Sequence, residues 1–300
     1  MNDIRSKCPI CDGMLGLIRL NNLYLECIKC KSLSTKVVYD EGEIRDYYAS
    51  YITDDVDEFS DEMRSRVSQK IRELMKINNA KTLYDYGFGS GIFLKEANRL
   101  DLKCFGFEYS DGLIEKGAML GATIENDEQR NSEYSPRVDI FIVIETLEHL
   151  VHPQEALQIA FRRLSEKGVL YMTTPNAKSL NRRLLGDRWS VFNPPEHITI
   201  FSAESVRILL RDIGFTDISI STSGFNPYDV IRAMETRFIS TNSAFSYDGG
   251  KRTETSRSLI SLSKSNFLIR FLFNTVNSLL MLLDSGDTLK VIARTPPKSF

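Results

Sequence analysis

The chain has 300 residues, of which 42% are hydrophobic, and this is enough for one large domain with appendages and a substantial apolar core. The formal net charge is −2, so the chain as a whole lacks the basic field that draws a protein to nucleic acid. The N-terminus shows no apolar signal segment, and we therefore expect a cytoplasmic protein.

Four of the five cysteines form two Cys-x-x-Cys pairs near the N-terminus, Cys8 with Cys11 and Cys27 with Cys30. In an intracellular chain this pattern favours a metal over disulfides, and four thiolates give zinc a closed, structural, tetrahedral site. We predict a zinc ribbon over residues 1–38, with a hairpin between the two pairs. A redox-active cysteine pair is the alternative.

A segment rich in tyrosine and acidic residues, 39–59, follows the ribbon. It has the character of a linker with aromatic anchors, namely Tyr47, Tyr48 and Tyr51. After it, apolar residues recur at helical spacing, and Ser60 is suited to cap that helix. The main domain is therefore predicted to begin at residue 60.

The most informative stretch of the chain is a glycine-rich turn. A short apolar run ends in Asp85, glycines follow at 87, 89 and 91, and an amphipathic segment comes next. This order predicts a strand, a tight turn and a helix, whose first backbone N–H groups face any ligand above the turn. The dinucleotide fingerprint G-x-G-x-x-G is not matched, because Ile92 stands where its third glycine would be.

The Asp-x-Gly-x-Gly-x-Gly pattern instead resembles the first motif of class I S-adenosylmethionine (SAM)-dependent methyltransferases. A second acid, Glu108, ends the next predicted strand, where a carboxylate can accept hydrogen bonds from two ribose hydroxyls. The resemblance implies that SAM is the cofactor and that Asp85, Gly87, Gly89, Gly91 and Glu108 bind it. It also implies that the segment before the first strand folds over the cofactor, which makes the tyrosines of 39–59 candidate lid residues.

The apolar run Val138–Ile144 predicts a central parallel strand that is buried on both faces. The Glu-Thr-Leu-Glu-His loop after it resembles that of ubiquinone-type O-methyltransferases. Ligands bind at the carboxyl ends of parallel strands, so Ile144 and Glu145 are expected at the cofactor and His149 near the substrate. His149 is a candidate general base, but it could equally orient the loop or join Glu148 as a metal ligand.

Two later segments are expected near the acceptor. Residues 177–195 form a basic loop that either holds an anionic acceptor or is simply solvated. The loop contains Lys178, Arg182, Arg183, Arg188 and Trp189. His197 lies in a Pro-Glu-His segment that resembles a loop of bacterial small-molecule and sugar methyltransferases, and it is a second candidate base.

The last strand of the domain comes later in the sequence than a hairpin partner of the preceding strand would. After a strand at Thr216–Thr222, the next good candidate is Asp287–Arg294, so we predict a helical insertion at 223–286. Its segment 266–284 is apolar except for a narrow polar stripe, which is too polar for a transmembrane span. We expect it to pack against the domain or a second subunit, as in a homodimer, with a membrane surface or a lipid-linked acceptor as the alternatives.

These patterns predict an α/β fold formed by residues 60–222 and 287–300. The resemblance implies that it is a Rossmann-like, seven-stranded sheet of order 3-2-1-4-5-7-6 with strand 7 antiparallel. The resemblance implies methylation of a small molecule, with O-methylation of a sugar or glycan precursor, including an anionic or lipid-linked sugar, as the leading function. Nucleic acid is not an expected partner. The alternatives are a sugar C-methyltransferase, an RNA methyltransferase that holds RNA with its ribbon, and a non-catalytic SAM-binding scaffold.

Overall fold

The structure, a computed structural model, describes residues 3–18, 21–49, 59–225, 275 and 277–297. Tyr51 and most of the predicted insertion lie outside the described residues. The strands are β1 (Leu15–Ile18), β2 (Asn21–Cys27), β3 (Leu33–Thr35), β4 (Thr82–Tyr86), β5 (Lys103–Phe107), β6 (Thr123–Ile124), β7 (Val138–Ile144), β8 (Leu164–Pro175), β9 (Thr199–Ile200), β10 (Thr216–Ser223) and β11 (Thr288–Arg294). The α-helices are α1 (Glu41–Ala49), α2 (Asp61–Asn78), α3 (Ile92–Arg99), α4 (Asp111–Met119), α5 (Asp127–Asn131), α6 (Pro153–Arg163), α7 (Leu180–Leu185) and α8 (Ala203–Ile213).

The larger sheet has seven strands in the order β10-β11-β8-β7-β4-β5-β6. Strands β4 to β8 run parallel, and β11 lies antiparallel to both of its neighbours, β8 and β10. Counted along the large sheet alone, this is the order 3-2-1-4-5-7-6 with an antiparallel seventh strand. The predicted fold class is therefore confirmed, including the late return of β11 to a place between β8 and β10.

The core lies on both faces of this sheet because its central strand is apolar except for Asp139. In β7, Ile140, Phe141, Ile142 and Val143 are fully buried. One apolar layer packs the sheet against α2 and α3, and the other packs it against α6 and α8. The helix ends follow local rules: Ser60 Oγ accepts from the Met63 amide at 3.3 Å to cap α2, as predicted.

The smaller sheet has the order β1-β2-β3-β9, so its last strand comes from the main domain. The predicted hairpin is present as β1 and β2. Strand β9 pairs antiparallel to β3, with Leu33 opposite Ile200. The ribbon is thus joined to the main domain by main-chain hydrogen bonds, which the sequence did not predict.

An apolar cluster and two polar contacts reinforce this junction. The cluster consists of Tyr24, Leu33, Ala177, Trp189 and Ile200. Arg182 Nη2 donates to Glu26 Oε2 at 2.6 Å, and Ser202 Oγ donates to the Cys30 carbonyl. Two members of the predicted basic loop, Arg182 and Trp189, therefore lie in the contact between the ribbon and the main domain.

The end of the predicted apolar segment 266–284 is helical at 277–282. There Leu280 is buried, whereas Leu279, Leu282 and Leu283 are exposed. Across the described part of the chain, none of the helices has the length and apolar character that a membrane-spanning segment requires.

Candidate functional site

The glycine turn joins β4 to α3 with three residues at positive φ, where L side chains are strained: Gly87 (+72°), Gly89 (+49°) and Gly91 (+77°). A Cβ at Gly87 would stand 2.4 Å from the Thr146 side chain, and one at Gly91 would stand 2.5 Å from Leu120. A Cβ at Gly89 would meet nothing within 4 Å. The turn is therefore packed at both ends and open in the middle.

Phe88 anchors the turn from behind. Its ring lies against Gly106 and Gly117, which leave room for it because they have no side chains. A Cβ at Gly106 would lie 2.9 Å from the ring, and one at Gly117 would lie 2.6 Å from it. Phe88 is buried there. Strand β5 and helix α4 therefore fix the position of the turn through a single side chain.

A cavity of about 230 Å³ lies above the turn, at the carboxyl ends of β4, β5 and β7. This is the edge of a parallel sheet at which ligands bind. Its lining residues are Ile44, Tyr48, Tyr86, Gly87, Gly89, Phe107, Glu108, Tyr109, Ser110, Leu113, Glu145, Thr146, His149, Leu150 and Glu196.

Two carboxylates stand at the turn in different environments. Glu108 lines the cavity and is held by two amides, with Gly89 N donating to Oε2 at 3.0 Å and Tyr109 N donating to Oε1 at 2.7 Å. Asp85 is only 2% exposed, and its Oδ1 has no hydrogen-bond partner. Burial, and secondarily the Glu108 charge, raises the pKa of Asp85 well above its usual range.

A polar cluster forms the opposite wall of the cavity, where α1 and the loop after β7 meet the 193–198 loop. The Nδ1 atom of His149 lies 2.7 Å from the Glu196 carbonyl and 2.8 Å from the Tyr48 hydroxyl. A carbonyl only accepts, so the Glu196 contact assigns the proton to Nδ1 and leaves Nε2 as an acceptor. The His197 ring packs beside that of His149, with 4.9 Å between the ring centroids.

Burial sets the charge of this cluster. It lowers the pKa of His149, and together with the neighbouring His149 it lowers the pKa of His197 to about 4, so both imidazoles are neutral at pH 7. It also raises the pKa of Glu148 to about 7. Glu148 is 1% exposed and accepts one hydrogen bond, from Thr174 Oγ1 to Oε2 at 2.9 Å.

The four ribbon cysteines converge as free thiols. Cys8 Sγ lies 3.6 Å from Cys30 Sγ, and Cys11 Sγ lies 3.5 Å from Cys27 Sγ. Four sulfurs around a tetrahedral zinc, with bonds of about 2.3 Å, would stand roughly 3.8 Å apart, so the thiols are close to the arrangement that zinc requires.

The structure brings most of the predicted site residues to one cavity. Gly87, Gly89, Glu108, Glu145 and His149 line it. Asp85, Gly91, Ile144 and His197 lie just behind its wall, so the structure places them in supporting positions rather than on the surface of the cavity.

Sequence reasoning did not single out several aromatic and polar wall residues. They are Tyr86, Phe107, Tyr109, Thr146 and Glu196. Each of them directly flanks a predicted site residue in the sequence, and this adjacency was the available clue. Glu196 comes from a loop that only the folded chain brings to His149. Tyr48, predicted as a candidate lid residue, does line the cavity.

Comparison with known proteins gives three solved structures of similar fold. A SAM-dependent methyltransferase from Archaeoglobus fulgidus is 16% identical, with a TM-score of 0.49, over 77% of this chain and 94% of that one. A SAM-dependent methyltransferase of Thermotoga maritima, described as a possible histamine N-methyltransferase, is 16% identical (TM-score 0.47; 78% and 89% covered). Magnesium protoporphyrin IX methyltransferase of Synechocystis PCC 6803, solved with bound S-adenosylhomocysteine, is 14% identical (0.48; 63% and 95%).

A search of curated protein sequences found no match. The family model described as "Methyltransferase domain" matches residues 59–220, which is more than half of the chain. This range holds the glycine turn, Glu108 and the loop that carries His149. On this match and on the sheet order, the chain belongs to the family of SAM-dependent methyltransferases with the class I fold.

Proposed function

We propose that the protein transfers the methyl group of SAM to a hydroxyl of a small acceptor, namely a sugar or glycan precursor. The observation that carries this proposal is the polar wall opposite the glycine turn. Tyr48, Glu145, His149 and Glu196 all line the cavity there. Hydroxyl, carboxylate and imidazole groups hydrogen-bond to a polyhydroxylated molecule on several sides, which an apolar acceptor would not require.

The cavity fits SAM in three respects. The open space at Gly89 admits a ligand against the backbone. Glu108 retains lone pairs that can accept from ribose hydroxyls. Asp85 and Glu108 bring two carboxyl groups to the base of the site, and the unpartnered oxygen of Asp85 can take up a negative charge when a cationic ligand binds above the turn. We propose that Asp85, Gly87, Gly89, Gly91, Glu108, Ile144 and Glu145 hold the cofactor.

SAM supplies an electrophilic methyl carbon when bound, so the protein has mainly to position the acceptor oxygen in line and exclude water. We assign activation of that oxygen to His149 and His197. Both rings are neutral, and each has Nδ1 fixed by a backbone carbonyl, Glu196 for His149 and Val191 for His197. The proposal favours His149 for direct contact because it lines the cavity.

We also propose that Cys8, Cys11, Cys27 and Cys30 hold a structural zinc ion. In the domain organisation that follows, residues 1–38 are the ribbon, 39–59 the lid, 60–222 and 287–300 the methyltransferase domain, and 223–286 an insertion. The exposed leucines at 279, 282 and 283 favour contact of that insertion with an apolar partner, such as a lipid-linked acceptor.

An acceptor screen tests the function. Purified protein and methyl-labelled SAM are incubated with free sugars, nucleotide-linked sugars, lipid-linked sugars and, in a separate reaction, RNA, and S-adenosylhomocysteine is measured by a coupled assay. We expect turnover with a hydroxylated acceptor and an O-methyl ether by NMR. Label on a carbon atom or on RNA would replace the proposed function by one of the alternatives, and cofactor binding without turnover on any acceptor would indicate a scaffold.

The carboxyl of Asp85 leads to a prediction about protons. Its raised pKa means that the empty protein keeps a proton there at a pH at which an ordinary carboxyl has lost it. A bound cation lowers that pKa, so SAM binding should release part of a proton. Calorimetry in buffers of different ionisation enthalpy measures this release, which Asp85→Asn should reduce. Equal release by the variant would contradict the assignment.

Glu108 leads to a prediction about the ribose. Glu108→Gln replaces an acceptor oxygen by an NH₂ group that must face a backbone N–H. We expect about 10-fold weaker binding of S-adenosylhomocysteine, or about 1.4 kcal/mol. A ribose-deoxy analogue should lose affinity for the wild type but little for the variant. The exposed Glu115 on α4 is the matched control, since Glu115→Gln should bind both ligands as the wild type does.

A further inference from the structure

The loop after β7 and the loop before β9 bring together two histidines and a glutamate. Each of Glu148, His149 and His197 offers a ligand atom, and these three atoms lie within 4.8 Å of one another. We propose that the three residues form a second metal site, which binds one divalent transition-metal cation at the edge of the cofactor cavity. Two imidazoles and one carboxylate are a donor set that suits such cations and leaves coordination positions open.

The distances need little adjustment. His149 Nε2 and Glu148 Oε1 are 4.0 Å apart. A cation with bonds of about 2.1 Å places neighbouring ligands roughly 3 to 3.5 Å apart, so each side chain has to move by only a fraction of an ångström. Neutral imidazoles are also the form that ligates a metal.

Hydrogen bonds to the other nitrogen of each imidazole, and to the other oxygen of the carboxylate, already hold the three side chains in the orientation that a metal ligand needs. Nδ1 of His149 lies 2.7 Å from the Glu196 carbonyl, and Nδ1 of His197 lies 2.8 Å from the Val191 carbonyl. Each contact fixes the proton on Nδ1 and leaves the Nε2 lone pair for a cation. In metal sites, a histidine ligand commonly donates its other ring N–H to a backbone carbonyl in the same way. Thr174 Oγ1 holds the other oxygen of Glu148, Oε2, at 2.9 Å.

Glu148 supplies an independent reason for a cation. Its side chain is 1% exposed, and Oε1, the oxygen on the side of His149, has no hydrogen-bond partner. Within the described residues, no lysine or arginine forms an ion pair with it. A buried carboxylate oxygen without a partner is costly, and a cation between it and the two imidazoles would satisfy it.

The metal would act on the acceptor. Because His149 lines the cofactor cavity, a cation on its Nε2 lies at the edge of that cavity, where an acceptor oxygen can complete the coordination. The two histidines would then activate the acceptor through the metal. This role rests on the proposed function, whereas metal binding itself does not.

Cobalt is the probe for the site. Protein whose ribbon cysteines have been saturated with zinc is titrated with Co²⁺, and the visible absorption of bound cobalt is recorded. We expect one Co²⁺ per chain, without the sulfur-to-cobalt charge-transfer band that would indicate exchange into the ribbon. Glu148→Gln and His197→Gln should each weaken cobalt binding at least 10-fold. His152→Gln is the matched control, because His152 is exposed and outside the cluster.

Binding of S-adenosylhomocysteine to each variant, by calorimetry, verifies that the fold is intact. No sulfur-free cobalt spectrum, or equal cobalt affinity in variants that still bind S-adenosylhomocysteine, would overturn the metal site. If cobalt does not bind but a hydroxyl is methylated, the metal site falls and the proposed function stands. If cobalt binds as expected and no acceptor is methylated, the metal site stands and the proposed function falls.

Discussion

Replacing Gly89 by arginine is expected to abolish SAM binding. A Cβ at this position meets no atom within 4 Å, so the new side chain would extend into the cavity instead of disturbing the packing of the turn. The φ of +49° adds a strain of about 1 kcal/mol for any L side chain. We expect at least a 100-fold loss of affinity for S-adenosylhomocysteine, or about 2.7 kcal/mol, measured by calorimetry.

Gly224 provides a matched control for this substitution. It too has a positive φ, +85°, and a Cβ there would meet nothing within 4 Å, but it lies at the end of β10 and does not line the cavity. Gly224→Arg therefore adds the same strain and the same charge elsewhere. It should bind cofactor as the wild type does, and wild-type binding by Gly89→Arg would place the cofactor somewhere other than above the turn.

Loss of the metal that we propose for the ribbon is expected to stop methyl transfer while leaving cofactor binding intact. Cys27→Ser removes one of the four proposed zinc ligands from a module with little apolar core of its own, so β1 to β3 should lose their structure. Strand β3 then no longer supports β9, and the Tyr24 hydroxyl no longer donates to the His197 carbonyl, a contact of 2.6 Å. The loop that carries Glu196 and His197 would shift, and a displacement of about 1 Å can cost 100-fold in rate.

The measurements for this prediction are zinc content, calorimetry and turnover. The affinity for S-adenosylhomocysteine should stay within about 3-fold of the wild type, because none of the described ribbon residues lines the cavity at Gly89 and Glu108. Cys104 in β5 is the only cysteine outside the ribbon, and Cys104→Ala should keep both zinc and turnover. Full turnover by zinc-free Cys27→Ser would show that the ribbon does not support the reaction.

The sequence was sufficient to predict the segments whose backbone conformation is determined by their own residues. Three glycines in the left-handed region, an acid at each of two strand ends and a strand that is apolar except for Asp139 each determine their own stretch of backbone. The order of the large sheet followed from these and from the family resemblance. The delay before β11 could be recognised because no earlier segment after β10 had the composition of a strand.

The parts that escaped prediction depend on pairs that are far apart in the chain. Strand β9 has only two residues and becomes a strand because it meets β3. Arg182 looked like an acceptor contact, and in the folded chain it reaches Glu26. Likewise the segment that contains Glu196 and His197 was expected near the acceptor, but nothing in the sequence indicates that the Glu196 carbonyl meets His149.

The space beside Gly106 and Gly117 that receives the Phe88 ring has a consequence for the affinity of the protein for its cofactor. Gly106 and Gly117 never touch the cavity, yet the absence of their side chains sets the height of the turn on which the cofactor would rest. A side chain at either glycine would therefore act on the cofactor site without altering a residue that lines the cavity. A library of substitutions at Gly106 and Gly117 would shift the turn and so change the room for bulkier sulfonium donors. Every residue that lines the cavity would stay unchanged.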